Sequence, residues 1–225
     1  MKLHIFPEGP FPRRILAYLR LKGIGNVDMQ EWNVFDRELV AGPEFQALSP
    51  AGTLPVLVND EGTTICQSSA IMDYLEEIYP DPPMGGRNED ERRRLETQAQ
   101  LINDVMAYRK ISLSTTTPYL SPYQTVRAPE ASLVSNQLDW SRCEQIAIVM
   151  GKRKFLASDE PTIADIMLFS MLEYIREVYD RFFPPHLHNL TAWYQRFAAI
   201  WPLERYKLAA GYHHRMSNGT VRERP

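Results

Sequence analysis

A proline stands one residue inside a β-rich run, Leu54-Pro55-Val56-Leu57-Val58, and it limits what this chain can fold into more than any other single feature. Proline has no N–H to give to a ladder, so Pro55 belongs at a strand start or on a sheet edge. Turn chemistry precedes it in Ser49-Pro50-Ala51-Gly52-Thr53 and follows it in Asn59-Asp60-Glu61-Gly62, before a second β-rich run, Thr63-Thr64-Ile65-Cys66. Two such runs joined by a Gly-containing turn predict an antiparallel hairpin. Gln67-Ser68-Ser69 then leads into Ala70-Ile71-Met72-Asp73-Tyr74-Leu75, where a serine is available to cap a helix reaching about Tyr79.

Upstream, Leu3–Phe6 is short and apolar and ends in Pro7-Glu8-Gly9-Pro10, which predicts a strand running into a turn. From Pro12, Ile15, Leu16, Leu19 and Leu21 recur at helical spacing with Arg13, Arg14 and Arg20 between them, and Gly23 and Gly25 end the run. Asn26–Val34 reads as a second strand, and Glu38–Leu48 as a short helix broken at Gly42-Pro43. Residues 1–80 therefore read β-α-β-α-β-β-α. Pro80-Asp81-Pro82-Pro83-Met84-Gly85-Gly86 is a cluster of breakers, and beyond it the pattern turns wholly helical. One helix runs from Glu89 to about Ser112, a second from Pro129 to Met150 over Leu133, Val134, Leu138, Trp140, Ile146 and Val149, a third from Ile163 to Tyr179, and a fourth from Leu190 to Ile200. The expected organisation is an α/β domain at 1–80, a linker at 81–88, an all-α domain at 89–210 and a flexible tail at 211–225.

Charge and cysteine usage exclude several functions. A net charge of −3 and a pI near 6.0 supply no basic field for phosphates, so nucleic acid is not expected as a partner. No 18-residue apolar stretch is present to span a bilayer, and no membrane partner is expected. Cys66 and Cys143 are far apart with no CxxC spacing, and the five histidines form no HExxH pattern, so neither disulfides nor a metal site are expected. A reducing, cytoplasmic setting fits.

Three motifs, in order, resemble those of the glutathione transferase superfamily over residues 1–205. Ser49-Pro50-Ala51-Gly52-Thr53-Leu54-Pro55-Val56-Leu57 is similar to the family's N-P-x-G-x-V-P-x-L segment with its cis-proline. Gln67-Ser68-Ser69-Ala70-Ile71-Met72-Asp73-Tyr74-Leu75 resembles its [E/Q]-S-x-A-I-x-x-Y-L segment, and Pro161-Thr162-Ile163-Ala164-Asp165 its [S/T]-x-A-D capping signature. The resemblance implies an α/β thioredoxin-like N-terminal domain before an all-α domain. It also implies glutathione as co-substrate, held by Thr53, Leu54, Pro55, Gln67 and Ser68. The cysteinyl unit would lie against the Leu54 main chain as an added strand would. The γ-glutamyl carboxylate would meet Gln67 and Ser68 at a helix N-terminus. A homodimer and a hydrophobic small-molecule electrophile are the partners it implies. Thr162 and Asp165 have the spacing of a reciprocal capping box, a structural role.

The resemblance is incomplete where the chemistry is sharpest. Aligning Pro10-Phe11-Pro12-Arg13-Arg14 with the family's S-P-F-x-R-K run puts Gly9 where the family carries a serine, and no hydroxyl or thiol occurs from Met1 to Ala17. A thiol with pKa near 8.5 is mostly protonated at pH 7, so something else must favour the thiolate. The candidates are main-chain N–H groups around Gly9, Phe11 and Arg13, the charges of Arg13 and Arg14, or donors from the second domain at Tyr108, Arg109 and Ser112. Arg13 and Tyr108 are the catalytic candidates. Three functions are open: a transferase or glutathione-dependent isomerase, a non-catalytic glutathione-binding or scaffold protein, and a regulatory partner that binds no glutathione. Asn103, Tyr108, Tyr119, Tyr123 and Tyr174 are candidates for lining the second substrate's pocket, with Ser114–Pro122 at its mouth.

Overall fold

Strand β1 (Lys2–Ile5) is covered on both faces, with Leu3, His4 and Ile5 all buried, as a central strand requires. The structure, a computed structural model, describes residues 1–34, 36–116, 128–179 and 183–204. β1 pairs in parallel with β2 (Asp28–Glu31) and antiparallel with β3 (Val56–Val58), and β3 pairs antiparallel with β4 (Thr64–Cys66), giving the sheet order β2-β1-β3-β4. Pro55 immediately precedes β3 and follows a cis peptide bond from Leu54, so the ladder begins where N–H donors begin.

The crossover from β1 to β2 is α1 (Pro10–Lys22), which stops at Gly23. Gly23 takes the left-handed conformation at φ 70°, and the N–H of Ile24 reaches back 2.8 Å to the Leu19 carbonyl. Expected as one interrupted helix, Glu38–Leu48 is two short helices, α2 (Arg37–Ala41) and α3 (Pro43–Leu48), separated by an extended Gly42 ahead of Pro43. His4 and Trp32 tie β1 to this region, since the Trp32 indole donates to His4 Nδ1 at 3.0 Å and its ring meets Phe45 edge-on.

The start of α4 (Ser68–Ile78) departs from expectation. Its N-cap is Gln67 at φ 75°, with no side-chain cap bond, and Ser68 is already helical and buried. The serine cannot cap because its hydroxyl is turned inward toward Arg14.

Four helices complete the chain: α5 (Glu89–Thr116), α6 (Pro129–Met150), α7 (Ile163–Tyr179) and α8 (His188–Ile200). α5 runs past the expected end at Ser112, and the rest of Ser114–Pro122, with Tyr119 and Tyr123, lies outside the described residues, as does the expected tail. The face α6 buries is not its most apolar one. Leu133, Val134, Leu138 and Trp140 are exposed, whereas Ser132, Ser135, Asp139, Cys143 and Ile146 are buried against α5. A polar network explains this: Arg109 Nε lies 3.0 Å from both Asp139 carboxylate oxygens, and the Ser112 and Ser132 hydroxyls are 2.9 Å apart. Burial pushes the Cys143 thiol up to about 12, which leaves it inert.

Two carboxylates organise the chain, one in each half. Glu76 accepts from the Tyr18 hydroxyl, from the Met84 and Gly85 N–H groups at 2.7 and 2.9 Å, and pairs with Lys22 at 3.0 Å. The Met84 carbonyl in turn receives the Ile163 N–H at the head of α7, so the segment after α4 is stitched to both halves. Asp165, wholly buried, accepts from the Thr162 N–H and hydroxyl, from the Leu156 N–H, and from the Trp193 indole at 2.6 Å. The capping box is thus formed in one direction only. Thr162 gives its hydroxyl to Asp165, so the Asp165 N–H turns to the Thr162 carbonyl instead.

Among the described residues no helix is long and apolar enough to cross a membrane, and no group of three or more His, Cys, Asp or Glu is arranged to hold a metal ion.

Replacing Asp165 by Ala strands four buried donors, and chemical denaturation should show a loss of at least about 3 kcal/mol; a loss under about 1 kcal/mol would contradict the role given to it. His4 supplies a pH dependence. Burial and, less strongly, Lys2 lower its pKa, against a weaker opposing pull from Glu44, so the folded state prefers the neutral ring whose Nδ1 accepts from Trp32. Stability from this group is full above the ordinary histidine value near 6.5 and is lost as pH falls toward the lowered one. Denaturation midpoints measured from pH 7 to 5 should fall less steeply in His4→Gln than in the unmodified protein, and parallel curves would refute this.

Candidate functional site

Strand register gathers the binding residues read from the sequence. In the β3–β4 ladder Val56 faces Cys66, so continuing the register places Pro55 against Gln67 and Leu54 against Ser68. In the β1–β3 ladder His4 faces Val56, which places Phe6 against Leu54. One end of the sheet therefore carries the exit from β1, the entry to β3 and the exit from β4. Both α1 and α4 begin there, so two helix N-termini, each with its positive partial charge, sit at the same sheet end.

The Leu54 end is left outside the ladders. Ser49 clamps the residue before it, donating its hydroxyl to the Thr53 carbonyl at 2.7 Å and accepting the Thr53 N–H at 3.0 Å. Leu54 is half-buried and, among the described residues, its main chain enters neither ladder nor any turn bond, while the adjacent Pro55 is buried. This is the arrangement that lets an extended peptide add main-chain hydrogen bonds at a sheet end.

At the α4 end, Gln67 is the one non-glycine residue with positive φ among the described residues. Backbone held in that region costs on the order of 1–3 kcal/mol and collects at ligand sites. The exposed Gln67 side chain and the first-turn N–H groups of Ser68, Ser69 and Ala70 face the same region, as an anion site at a helix start requires.

The α1 end is sparser. The first four N–H positions of this helix are Gly9, Pro10, Phe11 and Pro12. Both prolines lack the group, and the Gly9 N–H is taken by the Phe6 carbonyl at 2.9 Å. The Arg13 N–H is likewise used, bonding the Gly9 carbonyl at 3.1 Å. Of the three donors expected from the sequence, Phe11 alone keeps an N–H unclaimed among the described residues.

The two catalytic candidates stand on different helices, α1 and α5. Arg13 points to the helical half, where its Nη2 meets Glu173 at 2.9 Å and the Glu204 carbonyl at 2.7 Å. Its charge is therefore answered by a buried carboxylate. Tyr108 is half-buried on α5 near Arg142 of α6, whose pKa is raised first by Asp104, which it meets at 2.9 Å, and less strongly by Tyr108. Arg109 and Ser112 are spent in the α5–α6 seam. Asn103 is exposed on α5 and Tyr174 half-buried on α7.

Arg14 is the residue whose surroundings sequence reasoning missed. It is buried between α1, α4 and α7, donating to the Ser68 hydroxyl oxygen from Nη1 and to the Ser170 hydroxyl oxygen from Nε, both at 3.4 Å. A lone hydroxyl in the apolar run Ile166-Met167-Leu168-Phe169-Ser170-Met171-Leu172 was the available signal.

Comparison with known proteins bears on this geometry. Residues 3–83 match the model of the glutathione S-transferase N-terminal domain, and residues 130–200 that of the glutathione S-transferase C-terminal domain. Glutathione S-transferase 2 of Saccharomyces cerevisiae is 26% identical over 202 residues, covering 87% of this chain and 84% of that protein. FtsZ-localized protein A of Caulobacter vibrioides is 37% identical over 93 residues, covering 40% of this chain and 39% of that protein. Among solved structures, a glutathione S-transferase domain-containing protein from Marinobacter aquaeolei superposes with a TM-score of 0.75 at 27% identity, covering 92% of this chain and all of that one.

Gly9 takes ordinary extended angles, φ −79° and ψ 143°, yet an added Cβ would stand 3.0 Å from Pro12 Cδ and 3.3 Å from the Phe6 carbonyl. Gly9→Ser alone should therefore lose about 1 kcal/mol by overpacking, and the loss should shrink in Gly9→Ser with Pro12→Ala. Thermal or chemical unfolding checks this, and a Gly9→Ser protein as stable as the parent would show the crowding to be harmless.

Proposed function

This chain belongs to the glutathione transferase superfamily, and from that premise we propose that it binds glutathione across the sheet end and uses its thiolate on a hydrophobic electrophile, by conjugation or by isomerisation. The observation that carries the reading is the convergence of an open Leu54 main chain, a strained Gln67 and two helix N-termini on one sheet end. The cysteinyl unit pairs with Leu54, and the γ-glutamyl carboxylate sits at Gln67 and Ser68. The sulfur then falls toward the start of α1. There the Phe11 N–H and the helix dipole favour the thiolate, which attacks the electrophilic carbon, either displacing a leaving group or adding to a double bond with a proton from water. Without a hydroxyl at position 9 the thiolate has fewer donors, so turnover with general electrophiles should be modest.

A second reading has its own support. The same lack of a hydroxyl from Met1 to Ala17, together with likeness to a relative named for localisation with FtsZ, favours a glutathione-binding protein without turnover. Both readings require the tripeptide to bind, and they part on whether the bound thiol's pKa is lowered.

Calorimetric titration with glutathione tests the shared part. Changing Gln67 and Ser68 together to Ala should weaken binding by about 2–4 kcal/mol, as for lost charge-assisted hydrogen bonds. Unchanged affinity would remove the assignment. Thiolate absorbance of the bound tripeptide followed across pH then separates the two readings, since a bound pKa equal to the free one leaves the second.

A further inference from the structure

A guanidinium buried without a carboxylate is an unusual thing for a fold to keep. Arg14 is 1% exposed, its Nη2 has no hydrogen-bond partner among the described residues, and its other nitrogens Nε and Nη1 reach serine hydroxyls at 3.4 Å. Burial alone pushes it down to about 9, with no acidic neighbour acting against the shift, so at neutral pH it remains a cation in the interior. The neighbouring Arg13 and the more distant Arg109 each have a buried carboxylate, Glu173 and Asp139. Arg14 has instead the face of Phe11, 4.8 Å from its ring centre, which attracts a cation but does not neutralise it. A buried cation without a counter-charge costs several kcal/mol, and a ligand carboxylate brought near would relieve that cost.

Hydroxyl bookkeeping shows where the carboxylate belongs. Ser170 accepts from Arg14 and gives its proton to the Met167 carbonyl at 3.3 Å, so it is satisfied. Ser68 also accepts from Arg14, and among the described residues its proton has no acceptor. A hydroxyl has one proton and two lone pairs. With one lone pair held from inside by a cation, the Ser68 proton is directed away from Arg14, toward the start of α4 whose first-turn N–H groups already favour an anion.

We infer that Arg14 is a positioning residue for the ligand's amino-acid carboxylate, holding Ser68 as a hydrogen-bond donor and supplying, from behind it, the positive charge that the carboxylate answers. This deepens the proposed glutathione site and rests on that reading. The class of ligand it selects carries a free α-carboxylate on its γ-glutamyl end. Arg14 touches Ser68 and not the ligand, so its effect falls on binding and not on the sulfur.

The test compares glutathione with the analogue in which the γ-glutamyl α-carboxylate is an amide, by calorimetry on the full chain. For the unmodified protein the acid should bind at least tenfold more tightly than the amide. Arg14→Met should cut that preference to under threefold by weakening the acid while leaving the amide nearly unchanged, and Arg14→Lys should keep part of it. Equal losses for both ligands would mean that Arg14 only supports the fold, and would overturn the inference while leaving the glutathione reading intact. Absence of glutathione binding by the unmodified protein would overturn that reading, and this inference with it. Should Arg14→Met fail to fold, the unmodified protein still decides: the arginine Nε–Hε resonance of Arg14, assigned by its loss in Arg14→Lys, should shift on adding glutathione and stay fixed on adding the amide, and no shift with saturating glutathione would refute the coupling.

Discussion

One buried carboxylate, Asp165, fixes how the segments of the helical half meet one another. It takes donors from the head of α7, from Leu156 and from Trp193 of α8, so three separated segments converge on one fully buried group. Burial raises its pKa and its hydrogen bonds pull the other way, which is the balance expected of a carboxylate kept inside for its acceptor capacity. α7 packs against α1, and the residues it presents there are Ser170 and Glu173. Set the start of α7, and the partners of Arg13 and Arg14 are set with it.

Those two adjacent arginines divide the work of α1. Arg13 finds Glu173 and becomes a clamp between the halves, whereas Arg14, one position on, turns inward and meets only hydroxyls and a ring. The same helix delivers its N-terminus to the sheet end, so a clamp, a buried charge and a donor-poor helix start are parts of one element. Proline at positions 10 and 12 stiffens that start and removes two donors at once. The consequence is a sheet end rich in main-chain donors where α4 starts and poor in them where α1 starts.

Much of this was legible in the chain. Pro55 announced a strand start, the Gly62 turn joined β3 to β4, the breakers at 80–86 marked the end of the strand-rich half, and the spacing of Leu54-Pro55 to Gln67-Ser68 foretold their meeting, because local turn chemistry and ladder register are set by nearby residues. What was not legible depended on distant partners. Ser68 looks like a helix cap until Arg14 is seen behind it. Arg13 looks like a free charge until α7 brings Glu173. The apolar positions of α6 look like core until the Arg109–Asp139 pair takes the buried face. In each case a long-range polar contact outweighed a sound local pattern.

The central claim is that the sheet end, with its two helix starts, is where glutathione lies. Amide resonances followed during a glutathione titration test it most directly. The account predicts that the large, saturable shifts cluster at Phe11, Thr53, Leu54, Gln67, Ser68, Ser69 and Ala70, with those of α6 unmoved. Saturable shifts centred on the exposed face of α6, or none at all at millimolar ligand, would contradict it.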